Sequence, residues 1–211
     1  MLGTIFDAID KLEFDEWGKI VLESAEWQDL SVAVLVSVLF GGESLGRWRV
    51  SCSNVRNMNL SYERQRTTIR LLSDHVLLWP HTLPHAELYY SGHIANPAAA
   101  MGAIWEAHRE LVGPWFALDH FLNRLPSHLK YLDGGSGLFA TGPIRLIEEY
   151  ARILRLHGFG VSLLPSNPPV WWDGTVWVPE TEPMYVLLLG QSFIIAPRFD
   201  EWKLDEDLKT A

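Results

Sequence analysis

Apolar and polar positions change period several times along this chain. From Thr4 to Leu22 a broken stripe of Ile5, Ile9, Leu12, Trp17, Ile20 and Val21 runs among acidic residues, which predicts an amphipathic helix or helix pair. Leu30 to Phe40 alternates Val32, Val34, Val36 and Val38 as a strand would, although Leu and Ala on the other parity also allow a buried helix. Gly41-Gly42 ends it in either case. Arg47 to Ser53 has the period of a half-buried strand, with Trp48, Val50 and Cys52 on one parity and Arg47, Arg49 and Ser51 on the other. Asn54 to Ser61 reads as a polar loop, Tyr62 to Leu72 as a returning strand and His75 to Trp79 as a short strand. Pro80 and Pro84 then interrupt regular structure before a strand from Glu87 to Tyr90.

Two helices carry start and stop signals. Asn96 and Pro97 suit the cap and first turn of a helix to about Val112, stopped by Gly113-Pro114. Gly142-Pro143 opens another over Ile144 to His157, with Gly158 past its end. Strands predicted at Leu138 to Thr141 and Val161 to Leu164 make this a split β-α-β unit. Farther on, Val170 to Trp177 reads as a hairpin with a two-residue Asp173-Gly174 turn. Met184 to Leu189 and Ser192 to Ile195 form a second hairpin around Gly190-Gln191. The pattern predicts an α+β fold in a single domain over residues 1–211, a mainly antiparallel sheet with helices packed on it. An acidic helical segment, 1–28, and an acidic tail, 199–211, belong to it.

Composition narrows the class. With 211 residues, 48% hydrophobic and 20% charged, the chain is globular and large enough to bury a core without disulfides or metals. Lys plus Arg number 17 against 26 Asp plus Glu, formally −9, a sign that disfavours non-specific binding to nucleic acid or anionic membrane. Cys52 is the sole cysteine, which excludes an intrachain disulfide and a cysteine zinc site. Met1 to Glu16 lacks the basic start and apolar core of a signal peptide, and Leu30 to Phe40 is about half a bilayer span, so a cytoplasmic chain is expected.

The charge is unevenly spread. Residues 1–30 hold eight acids and two lysines, whereas residues 47–70 hold six arginines and one glutamate. Alternation would let Arg47, Arg49, Arg64, Arg66 and Arg70 share a face, which could bind a phosphate-bearing anion or neutralise the acidic N-terminal segment. His75, His81, His85 and His93, with Asp74, offer donors for a metal and make a metal-dependent enzyme the alternative function, but the prolines deny them helical ligand spacing; hydrogen-bonding loop histidines are the plainer reading. His108 falls on the apolar side of its helix and reads as a buried, satisfied histidine. Cys52 sits at an apolar-parity position, and Gly134-Gly135-Ser136-Gly137 reads as a turn rather than a nucleophile elbow, since no strand precedes it and no helix follows. No nucleophile, base and orienting group converge, so the chain reads as a non-enzyme with no cofactor.

A binding protein needs instead a scaffold, aromatic anchors and complementary charge. Ten tryptophans, the Trp171-Trp172-Asp173-Gly174 hairpin, the Gly134 to Gly137 turn and the acidic ends supply these. In that whole-chain profile the sequence resembles the immunity proteins of bacterial polymorphic-toxin and type VI secretion systems. The resemblance implies a small acidic cytoplasmic α+β protein that binds a basic partner, a secreted toxin and often a nuclease, and occludes its active site. It assigns no residue roles. From charge and aromatic content, the candidate partner-binding residues are Asp10, Glu13, Asp15, Glu16, Glu23, Trp171, Trp172 and Trp177.

Overall fold

The computed structural model describes residues 2–10, 18–61, 68–93, 96–123, 135–164 and 167–204. It is an α+β fold with antiparallel sheets and, among the described residues, four helices. Contacts divide the chain into two compact units, Met1–Leu78 with Glu182–Ala211, and Trp79–Thr181. The second is an insertion in the sequence of the first.

The first unit begins with α1 (Gly3–Asp10). Three long strands follow: β1 (Gly18–Gln28), β2 (Ser31–Phe40) and β3 (Glu43–Ser53). Short strands β4 (Asn57–Asn59) and β5 (Ile69–Leu72) precede the insertion. After it come β11 (Tyr185–Leu189), β12 (Ser192–Ala196) and β13 (Arg198–Leu204). Strand order is β1-β2-β3-β13 in one sheet and β4-β12-β11-β5 in the other.

Two neighbouring strands pass from one sheet into the other. β3 leads through Asn54 into β4, and β12 leads through Pro197 into β13. Arg198 faces Ser53 on one side of the corner and Ile195 faces Asn57 on the other, so the β3–β4 side carries one extra residue. Asn54, at φ 55°, adopts the left-handed conformation there, and Pro197 has no N–H to leave unpaired at the bend. The two sheets thus fold around one core, as in packings whose corners are made by strands that switch sheets.

That core follows from alternation. Val32, Val34, Val36 and Val38 of β2 meet Trp48, Val50 and Cys52 of β3, and Leu187, Leu189, Ile194 and Ala196 close it from the other sheet. Full burial of each large aliphatic contributes about 1.5–3 kcal/mol. Gly41 and Gly42, at φ 59° and 92°, make a two-residue turn between Phe40 and Glu43 whose twist only such residues accept readily.

In the second unit, β6 (His85–Gly92) is central between β7 (Gly135–Pro143) and β8 (Gly160–Leu163), antiparallel to both. A single turn, α2 (Trp79–Thr82), precedes β6. Two longer helices are α3 (Pro97–Val112) and α4 (Ile144–Leu156), and α4 packs on all three strands and on α3. β7-α4-β8 is the split β-α-β unit expected from the sequence, with β6 in the gap. A separate hairpin pairs β9 (Val170–Trp172) with β10 (Trp177–Pro179).

Several expectations need correction. Gly18 to Leu22 is strand, not helix, because its apolar residues pair along β2. The polar stretch 54–61 contains β4. His75 to Trp79 is not a strand: a 3-10 turn at Val76–Leu78 runs into α2, where Pro80 sits in the first turn and needs no helical donor. Gly135, Ser136 and Gly137 start β7 rather than forming a turn. The supposed acidic tail is, as far as Leu204, the strand β13.

Candidate functional site

The hairpin β9–β10 is the most exposed aromatic element among the described residues. Trp172 lies opposite Trp177, so both indoles share a face, with centroids 5.7 Å apart and planes tilted by 60°. They remain 47% and 67% exposed, and Val170 and Val176 are about half exposed. Trp171 is half-buried on the other parity, opposite Val178. A two-residue Asp173-Gly174 turn would have placed Trp172 opposite Thr175, and the observed register with Trp177 corrects it. The loop spans four residues, Asp173 to Val176.

Asp173 explains the longer loop. Its Oδ1 accepts from the N–H of Thr175 at 2.7 Å, the N–H of Val176 at 2.8 Å and Oγ1 of Thr175 at 2.8 Å. Its own N–H donates to the Val176 carbonyl at 3.1 Å. The Val176 and Thr175 amides, then the Thr175 hydroxyl, hold its carboxyl below the usual range. A depressed carboxylate stabilises the fold above its unfolded pKa, and that contribution is lost as pH falls through the lower folded value. Exciton-coupled circular dichroism from Trp172 and Trp177 should therefore fade on acidification below the ordinary aspartate range. In Asp173→Ala it should be weak at every pH; an unchanged spectrum would show that the loop does not depend on this carboxylate.

The acidic candidates divide. Glu13, Asp15, Glu16 and the side chain of Asp10 lie outside the described residues. Glu23, on the outer face of the first sheet, is already engaged. It accepts from Ser37 Oγ and, through Oε2, from Arg47 Nη2 at 2.5 Å and Nε at 3.1 Å. Burial pushes its carboxyl up, but the bonds from Ser37 and Arg47 outweigh this and the net shift is downward.

The arginines do not form one face. Arg49 pairs with Glu26 at 2.9 Å, so Arg47 and Arg49 both neutralise acids of β1 across the sheet. Arg70 belongs to β5, opposite Leu188 in the other sheet, and Arg64 and Arg66 lie outside the described residues. β5 therefore does not lie beside β3; β13 occupies that place. This removes the geometry on which the five-arginine anion reading relied.

The histidine candidates fall in both units. Asp74 and His75 belong to the first unit, and His81, His85 and His93 to the second. His75 Nδ1 accepts from the Leu77 N–H at 3.3 Å, and His85 Nε2 bonds the Pro80 carbonyl at 3.0 Å. His85 starts β6 and His93 follows its end, which separates them by roughly 25 Å at strand rise. Among the described residues, no three His, Cys, Asp or Glu side chains form a group that could hold a metal ion.

Two buried groups have structural partners. His108, 2% exposed, bonds Tyr150 Oη through Nδ1 at 2.7 Å and the Phe116 carbonyl through Nε2 at 2.8 Å. Cys52 is packed in the core, where burial pushes its thiol up to about 12 and keeps it protonated at neutral pH.

The sequence reading missed an open groove of about 370 Å³ on the first sheet, lined in part by Trp27, Arg49 and Ser51. Its only advance signal is a run of short side chains, Ser31, Ala33, Ser51 and Ser53, at outward positions of two neighbouring strands. No helix among the described residues is long and apolar enough to cross a membrane. Comparison of the chain with protein-family models, with curated proteins and with solved structures returns no match.

Proposed function

We propose that this chain is a cytoplasmic protein-binding protein, an immunity-type antagonist that occludes the active site of a basic toxin partner. One observation carries the reading. The exposed Trp172–Trp177 pair lies in a sequence stretch without a single Lys or Arg, between Arg155 and Arg198, where Asp173 and Glu180 are the acids next to the hairpin and Glu182 is paired with Arg56 at 3.5 Å. Large indole faces among carboxylates favour a cationic surface by burial, by cation–π contact and by long-range attraction. The toxin class rests on the sequence resemblance alone.

The test is co-expression with the products of neighbouring genes, followed by sizing chromatography and titration. A stoichiometric complex with a basic protein is expected. Trp172→Ala with Trp177→Ala should weaken it by at least about 30-fold, the effect of losing roughly 2 kcal/mol at an anchor. Because both rings are exposed, thermal unfolding should change little. A complex that tolerates the double substitution would remove the hairpin from the interface, and the absence of any complex would remove the reading.

A further inference from the structure

We propose that the first unit binds a small neutral aromatic molecule in the open seam between its two sheets. Among the described strands, β13 ends one sheet and β5 ends the other. A cavity of about 400 Å³ lies there, within the range of about 300–1,000 Å³ for small-molecule sites. Leu71 of β5, Tyr185 of β11, Pro197 at the corner and Phe199 of β13 supply its apolar walls.

Register shows that these walls belong to the core. Leu71 stands opposite Leu187, Tyr185 opposite Ala196 and Phe199 opposite Cys52, and all three partners are core residues. Directly opposed residues share a face of the sheet, so Leu71, Tyr185 and Phe199 all have inward parity. Burial is nonetheless incomplete at this end. Ile69, Leu187 and Leu189 are buried, whereas Leu71 and Tyr185, at the same parity of the same strands, are only half-buried. Interiors are otherwise close-packed, and here the inward side chains leave room. A guest completes their burial and removes its own apolar surface from water.

The chemistry of the lining selects the guest. Two aromatic rings, a proline ring and a leucine offer dispersion and ring contacts to a flat apolar molecule. A charged guest would have to give up its hydration against these walls. The charged lining residues, Arg198 and Asp200, alternate with Phe199 along β13 and so have outward parity, and they pair with each other at 2.7 Å. Neither supplies an inward countercharge. Among the described residues none bonds the Tyr185 hydroxyl, which leaves it for one polar atom of the guest. The site lies wholly within the first unit and does not depend on the tryptophan hairpin.

Fluorescence titration of the full chain tests it, with phenylnaphthylamine as the neutral probe and anilinonaphthalenesulfonate, its sulfonated counterpart, as the charged comparator. Saturable binding of the neutral probe is expected, with the sulfonate at least about tenfold weaker. Ser73 is an exposed lining residue, so Ser73→Trp narrows the cavity without entering the core and should weaken the neutral probe at least about tenfold. Should that variant fail to melt cooperatively, Tyr185→Ala, which removes a wall, decides in its place. Trp172→Ala with Trp177→Ala should leave the titration unchanged. No saturable binding below about 50 μM overturns the proposal. So does equal binding of the sulfonate, binding that the deciding cavity variant leaves unchanged, or binding that is lost with the hairpin indoles.

Discussion

Trp48→Ala should lower the unfolding free energy of the first unit by about 3–5 kcal/mol, the range for emptying a large buried aromatic site. The indole is 1% exposed in the middle of the core. It also holds α1 in place. Its Nε1 donates to Thr4 Oγ1 at 3.1 Å, and Lys203 Nζ lies 5.4 Å from the ring centroid. Beside it, Glu201 accepts from the N–H groups of Thr4 at 2.5 Å and Ile5 at 3.2 Å, capping the start of the helix. Hydrogen exchange over residues 3–10 should therefore accelerate in the variant before the rest of the unit opens. Thr4→Ala, which removes the hydroxyl acceptor and leaves the ring, should cost only about 1 kcal/mol. Equal losses in the two variants would mean that the hydrogen bond, not the packed volume, dominates this site.

The second large effect lies at His108. The Phe116 carbonyl can only accept, so Nε2 carries the proton and Nδ1 accepts from the Tyr150 hydroxyl. His108→Ala empties the ring site and leaves both partners without it in a buried setting, at an expected cost of roughly 2–5 kcal/mol. Tyr150→Phe leaves only Nδ1 unmet and should cost about 1–3 kcal/mol. Burial pushes the Tyr150 phenol far above its ordinary value, so its hydroxyl stays protonated and available to donate throughout the neutral range. The double variant His108→Leu with Tyr150→Phe should cost less than the sum of the two single changes, because no buried polar group is then left facing a missing partner within the pair. Additive chemical-denaturation energies would show that the two side chains do not act together.

Much of this architecture is legible where a local signal has one meaning. Asn96 Oδ1 accepts from the Ala99 N–H at 3.0 Å, and Gly113, at φ 62°, ends α3. These are the positions the sequence predicts. The valine alternation of β2 becomes a strand because Trp48, Val50 and Cys52 stand beside it in register. The signal fails where tertiary demands override composition. On β13 the inward positions after Phe199 are Glu201 and Lys203, which cap α1 and cover Trp48, so its apolar alternation stops after one residue. β4 shows only a half-buried Met58. The groove is less legible still, since a depression made by small side chains on different strands exists only once the register is set.

The route of the chain through its sheets also orders events in time. Among the described strands, β4 has only β12 beside it, and β5 only β11. Both partners follow Thr181, so a nascent chain that has emerged as far as Leu72 cannot pair either strand. At about 5–20 residues per second, synthesis of the inserted unit Trp79–Thr181 occupies roughly 5–20 s, at the end of which that unit has its whole sequence and can fold. Meanwhile the valine face of the β1-β2-β3 meander waits without the Leu187, Leu189, Ile194 and Ala196 that will cover it. The unit that is begun first is finished last. Its uncovered strands are thus the stretch of this protein most in need of shelter during birth, long before any question of what the finished molecule binds.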